Sequence, residues 1–210
     1  MVGIVNKYGF FNIEKIIQVF YYIQKHSDTY SKLELIKFLF FADRIHVRKH
    51  FSFISVDNYY ALKYGPVASN SLDVLNKHKE YLDNFPASEL KHIDSVKKIN
   101  NWKRIIEEVP NDLLSKNEMS SIDKSIELFS GKKLVEISHD YPEWKRYKEL
   151  FDKQLVSKEP IVIDDFFCNP DVNDSPAIQK YFNSIDPLYE NEDYLLEAKE
   201  FFLQSFGQYA

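Results

Sequence analysis

The sequence predicts a mainly α-helical protein, a compact helical domain with a small antiparallel β element. Three observations carry that class. Two capping boxes, Ser31-Lys-Leu-Glu34 and Ser115-Lys-Asn-Glu118, each stand before a run of apolar residues, the pattern of a helix start whose orphan N–H groups are satisfied by side chains. Elsewhere apolar residues recur at i, i+3 and i+4, as at Ile13, Ile16, Ile17, Phe20 and Ile23, one stripe of an amphipathic helix. Only one stretch, residues 51–64, is dense in β-branched and aromatic residues, and it runs into the Gly65-Pro66 dipeptide, the composition of a short strand or hairpin and its corner.

The elements follow in order. Asn12 opens the first helix, of about four turns. After Ser31 comes a helix over 33–47 whose residues Leu33, Leu35, Ile36, Phe38, Leu39, Phe40, Phe41, Ala42 and Ile45 leave almost no polar side, so it is expected at the centre of the domain, buried all round. At Lys63-Tyr-Gly-Pro-Val-Ala-Ser-Asn70, Gly65 permits backbone angles closed to other residues, Pro66 fixes φ near about −65°, and Ser69 is placed to cap a helix carrying Leu72 and Leu75. Asn100-Asn101 tolerates left-handed turn angles and suggests a second small hairpin between Ile93, Val96, Ile99 and Ile105, Val109. Ser115 starts a helix with Met119, Ile122, Ile126 and Phe129 inward and Gly131 at its stop. Residues 132–138 form a short helix, and Pro142 sits in the first turn of another carrying Trp144, Tyr147 and Phe151. A final helix follows Asn191, for about six to eight helices in all.

Composition narrows the function. Hydrophobic residues make up 44% and aromatics 16%, enough for a ring-rich core and too much for a disordered chain. The single cysteine, Cys168, cannot form an intramolecular disulfide, and no signal-peptide pattern opens the chain, which points to the cytoplasm. The longest apolar run, 38–42, is far short of a membrane span. Net charge is −5, and residues 152–210 hold 12 acidic against 4 basic residues. Without a basic cluster the chain is a poor fit to nucleic acid, whose phosphates are bound by Lys and Arg.

Several constellations suggest chemistry. Asp43, His46 and His50 lie at i, i+3 and i+7, a spacing that permits a metal but equally lets Asp43 pair with Lys37, Arg44 or Arg48 and His50 sit at a favourable helix C-terminus. We expect no metal there, with Lys37 and His46 instead fixing the central helix to its neighbours by hydrogen bonds. Lys37, inside an apolar helix, is expected either to snorkel to solvent or to reach a partner such as Asp43. Adjacent residues Ser138 and His139 point about 100° apart on a helix, so they do not make a nucleophile and its base. Only five glycines are present, none spaced as a phosphate-binding loop. No catalytic residues and no cofactor are expected.

In order along the chain, Leu35-Ile-Lys-Phe-Leu-Phe-Phe-Ala42 with its lysine at Lys37 and with His46 following, Tyr60-Ala-Leu-Lys-Tyr-Gly-Pro-Val67, Leu114-Ser115 and Ser138-His139 before Trp144 resemble the landmarks of the Panacea domain, the SocA-like antitoxin domain found in many phage-associated proteins. Asp43 and Glu143 depart from the family pattern. The resemblance covers about residues 10 to 151, so the organisation expected is a Panacea-like domain over 1–151 and an acidic C-terminal extension over 152–210 packing on it. It implies a non-enzymatic antitoxin that binds a toxin encoded beside it; the alternatives are a phage-associated binding module or an adaptor that delivers a toxin to a protease. A homo-oligomer is compatible with it, and a membrane partner is not expected. Many family members carry a DNA-binding domain, for which the residues before Asn12 leave no room. The expected toxin-binding residues are Tyr60, Tyr64, Gly65, Pro66, Ser69, His139 and Trp144, with N–H groups of the helix after Ser69 facing an acidic group of the toxin; Lys37, Asp43 and His46 are expected as structural polar residues.

Overall fold

The computed structural model describes residues 5–6, 9–99 and 102–207. A two-residue antiparallel pair, β1 (Val5–Asn6) with β2 (Gly9–Phe10), precedes helix α1 (Ile13–Gln24). The Asn12 side chain accepts from Lys15 N, closing the start of α1. Helix α2 (Lys32–His50) begins at the Ser31/Glu34 capping box and ends where Phe51 turns left-handed at φ 56°. Every residue of α2 from Leu35 through Arg48 is buried, Lys37, Asp43, Arg44, His46 and Arg48 included. It packs along α5 (Lys116–Phe129), where Phe41 and Phe129 stack 3.9 Å apart; such ring pairs add about 0.5–1.5 kcal/mol beyond area burial.

The β element is a hairpin. Strands β3 (Tyr59–Leu62) and β4 (Gly65–Ala68) pair antiparallel with Leu62 opposite Gly65. The turn is therefore Lys63-Tyr64, and Gly65-Pro66 begins the second strand. This corrects the expectation of a corner from strand to helix: helix α3 (Ser69–Asn76) starts only after β4. A third strand, β7 (Lys158–Pro160), pairs with β3 on its other edge, giving the order β4-β3-β7. Between them lie α4 (Lys79–Leu82) and a two-stranded sheet, β5 (Val96–Ile99) with β6 (Trp102–Ile105). The pairing is that of the second hairpin expected, while its Asn100-Asn101 turn falls outside the described residues.

After α5 come α6 (Leu134–Ser138), α7 (Pro142–Lys145) and α8 (Lys148–Asp152), then α9 (Pro176–Phe182) and α10 (Glu192–Gly207). The described residues thus hold ten α-helices, more than the six to eight expected, because short pieces replace longer ones. The single helix expected to carry Trp144, Tyr147 and Phe151 is two. The backbone bends at Tyr147 (φ −101°, ψ 0°), whose hydroxyl donates to Pro160 O at 2.6 Å. Phe166, Phe167, Ile178 and Phe202 from beyond residue 151 share one core cluster with Phe38 and Phe41. No helix among the described residues is long and apolar enough to cross a membrane.

Candidate partner-binding face

Lys37 is fully buried, and its ammonium nitrogen donates to Pro66 O at 2.8 Å. It neither snorkels nor pairs with Asp43; its hydrogen bond instead joins α2 to β4. Burial holds its pKa well below the ordinary lysine value, since desolvation disfavours the charged form. The nitrogen fits there because residue 65 has no side chain: a Cβ on Gly65 would run into Lys37 Nζ and stand 2.5 Å from Ser138 Oγ. Gly65 also sits at φ +98°, a region other residues adopt only with strain. The glycine is required twice, by the backbone and by the space.

Ser138 and His139 come from α6 and its end. The Ser138 hydroxyl donates to Val135 O at 3.0 Å and is buried. The His139 ring lies parallel on Trp144, 3.6 Å away and 8° from coplanar. Burial, and then the nearby Lys37, push His139 down to about 4, so its imidazole is neutral at pH 7. Trp144 donates from Nε1 to Leu62 O at 2.8 Å, tying α7 to the hairpin, and its ring also lies parallel to Phe151, 5.7 Å between centroids. Residues separated by a hundred positions thus close around one hairpin. Of the expected contact residues, Gly65, Pro66 and Trp144 are buried and shape this face, Tyr60, Ser69 and His139 are half-buried, and Tyr64 is 57% exposed at the hairpin tip.

The helix start after β4 is not free to receive an anion. Asp57 accepts from Asn70 N at 2.8 Å, Ser71 N at 2.7 Å and Ser71 Oγ at 2.6 Å, while Ser69 N donates to Asn58 O. The first N–H groups of α3 are closed by the chain's own carboxylate, and the Ser69 side chain makes no cap bond. This overturns the electropositive end expected there. Burial raises Asp57 to about 7 even though these hydrogen bonds favour the charged form.

The His46 and His50 rings lie 4.7 Å apart, but Asp43 does not join them. Asp43 turns to the loop before β3, accepting from Ile54 N at 2.6 Å, Ser55 N at 3.1 Å, the Ser55 hydroxyl and Tyr59 OH at 2.7 Å. His46 Nδ1 meets Ser121 Oγ of α5 at 3.1 Å, and His50 contacts Asn117. Burial and then the charge of His50 lower His46 to about 4. Among the described residues no three His, Cys, Asp or Glu side chains are grouped to hold a metal ion.

Sequence reasoning missed a layer of buried charge beside this face. Arg44 and Glu143, both fully buried, form an ion pair; Arg44 also donates to Asp165 O at 3.2 Å and Cys168 O at 2.5 Å. Arg48 donates to Leu188 O and Asn169 Oδ1, each at 2.6 Å. Tyr141 OH donates to Asp186 at 2.8 Å. Glu143, a departure from the family pattern, is thus balanced by a cation from α2, and the same cation holds carbonyls of the C-terminal part. The signal was present: Arg44 and Arg48 stand at i, i+4 on a helix expected to be buried all round.

The structure is a mainly α-helical domain with a small antiparallel β element, whose sequence landmarks pack around one hairpin. The particular family is shown by comparison: the chain belongs to the antitoxin SocA-like, Panacea domain family, whose model matches residues 35–145, just over half of the 210 residues. No curated protein and no solved structure matches the chain.

Proposed function

We propose that this protein is the antitoxin of a toxin-antitoxin pair, neutralising the product of a neighbouring gene by direct binding and without catalysis. The observation that carries the reading is the convergence of Lys37, Gly65-Pro66, Ser138-His139 and Trp144 on one hairpin whose tip residue Tyr64 is 57% exposed. Buried polar groups and a stacked ring pair hold the hairpin in one shape before any partner arrives, which lowers the entropy cost of binding. Tyrosine at such a rigid point is the residue type enriched in interface hot spots. The contact set is Tyr60, Tyr64, Ser69 and His139, with Gly65, Pro66 and Trp144 setting its shape. The protein acts in the cytoplasm, and residues 152–207 belong to the same unit, a reading supported by the shared core and by the Arg44 and Arg48 bonds. The test is to express each neighbouring open reading frame with and without this protein and score growth. Rescue of a growth arrest supports the reading; arrest unchanged by the protein, or no toxic neighbour, refutes it.

A further inference from the structure

The acidity of the C-terminal part is unevenly used. Of the 12 acidic residues over 152–210, seven are paired with a cation or hydrogen-bonded within the chain. Of the five left without such a partner among the described residues, Glu159 is on β7 and Glu192, Asp193, Glu197 and Glu200 are all on α10. Glu192 and Asp193 sit in the first turn, where the helix dipole favours them. Glu197 and Glu200 lie beyond that turn and gain nothing from it; with Asp193 they stand at i, i+4 and i+7, so like charges repel along one stripe. Helix α10 packs on α2 and on the turn at Ile163–Phe167, with Leu195, Ala198 and Phe202 buried. At about 100° per residue the acidic stripe lies opposite that buried side. Leu196 and Leu203, 58% and 38% exposed, run along one edge of the stripe; Phe201, on the other edge, already lies against Phe51, 4.8 Å between ring centroids. Lys199, the one basic residue of α10, is bonded to Asp164 at 2.9 Å. Outward, α10 thus presents free carboxylates beside an apolar edge and no free cation among its own residues.

We infer that α10 receives a basic amphipathic segment of a protein partner, its Lys or Arg side chains meeting Glu197 and Glu200 and its apolar side chains covering Leu196 and Leu203. Charge decides the occupant. A second copy of α10 would set carboxylate against carboxylate, and nucleic acid would bring phosphates to the same stripe; both are repelled. A cation relieves the repulsion within the stripe and finds acceptors that no group of the chain has taken, while the two leucines supply apolar burial beside it. None of Tyr60, Tyr64, Ser69 and His139 is on α10, so this surface is a second one and its test needs no toxin.

The probe is a phage-displayed library of random linear peptides selected on the immobilised full-length protein. Enriched sequences are expected to combine Lys or Arg with Leu, Ile or Phe. By fluorescence polarisation a synthetic peptide of that consensus should bind roughly tenfold more weakly to Glu197→Gln/Glu200→Gln and to Leu196→Ser/Leu203→Ser than to the wild-type protein, all with unchanged circular dichroism; the four positions are exposed, so the fold does not depend on them. Glu107→Gln/Glu108→Gln, which removes two exposed carboxylates elsewhere, changes net charge equally and should leave binding at the wild-type level. No enrichment, enrichment of acidic peptides, wild-type binding by either α10 variant, or an equal loss in the Glu107/Glu108 control would each overturn the inference. So would a dimer in sedimentation velocity that Leu196→Ser/Leu203→Ser abolishes, since a second copy would then cover the face.

Discussion

Placing a methyl group on Gly65 perturbs two things at once, and they can be separated. At φ +98° a residue with a Cβ is strained, at a cost of about 1–2 kcal/mol. The added carbon also meets Lys37 Nζ and Ser138 Oγ, inside a packed site with no solvent for the amine to retreat into; overpacking of this kind costs about 1–3 kcal/mol. Gly65→Ala should therefore lose about 2–5 kcal/mol, read as a Tm lower by roughly 4–20 °C for a domain of this size. Shortening the lysine in Lys37→Met removes the nitrogen but leaves the backbone strain. The double variant should recover about 1 kcal/mol or more relative to the sum of the singles, the coupling of residues in contact. Urea unfolding followed by circular dichroism measures all three. A Gly65→Ala loss below about 0.5 kcal/mol, the range of ordinary surface changes, or zero coupling with Lys37→Met, would refute the argument that the glycine exists to admit the lysine.

Three further outcomes are expected. Glu143→Leu, which strands Arg44 in the interior, should cost about 3–5 kcal/mol by chemical denaturation, and pairing it with Arg44→Leu should restore much of that, because a buried ion pair is costly to break and cheap to replace whole. His46, held near 4 in the folded protein against an ordinary value of 6.5, binds fewer protons folded than unfolded between those values, so its contribution is intact above pH 6.5 and lost as pH falls toward 4; His46→Gln should flatten the stability curve in that window by up to about 3 kcal/mol. Asp57→Ala uncaps α3 and orphans Asn70 N and Ser71 N, so it should cost about 1–2 kcal/mol and lower amide protection in α3 in hydrogen exchange.

Much of the helical framework was legible because its signals are local. The Ser31 and Ser115 capping boxes both form, and the apolar run after Ser31 became the most enclosed helix of the protein, one residue longer at its start and three at its end than expected. Illegible features depend on partners distant in sequence. Strand β7 is three residues, Lys-Glu-Pro, with neither β-branched residues nor alternation, and exists because β3 offers it an edge. The hairpin turn was misplaced because Gly65-Pro66 reads as a corner, while the space demand of Lys37 and the register with Leu62 put it inside a strand. Asp57 took the role assigned to Ser69 because a carboxylate positioned from before the hairpin reaches the helix start better than the first helical residue itself. Lys37 was drawn to no carboxylate since the residues around it, Pro66 and Ser138, present a carbonyl and a hydroxyl instead.

The central claim, toxin binding through the hairpin face, is tested most directly by isothermal titration calorimetry of the neighbouring-gene toxin against wild-type protein, Tyr64→Ala and Ser69→Lys, all with unchanged circular dichroism. Tyr64 is exposed and holds no other element in place, so its truncation removes contact area without disturbing the fold. The account predicts at least about tenfold weaker binding for each variant, a loss of roughly 1.4 kcal/mol or more. Wild-type affinity in both would contradict it and leave the stretch from Lys63 to Asn70 as a structural hairpin arm and helix start only.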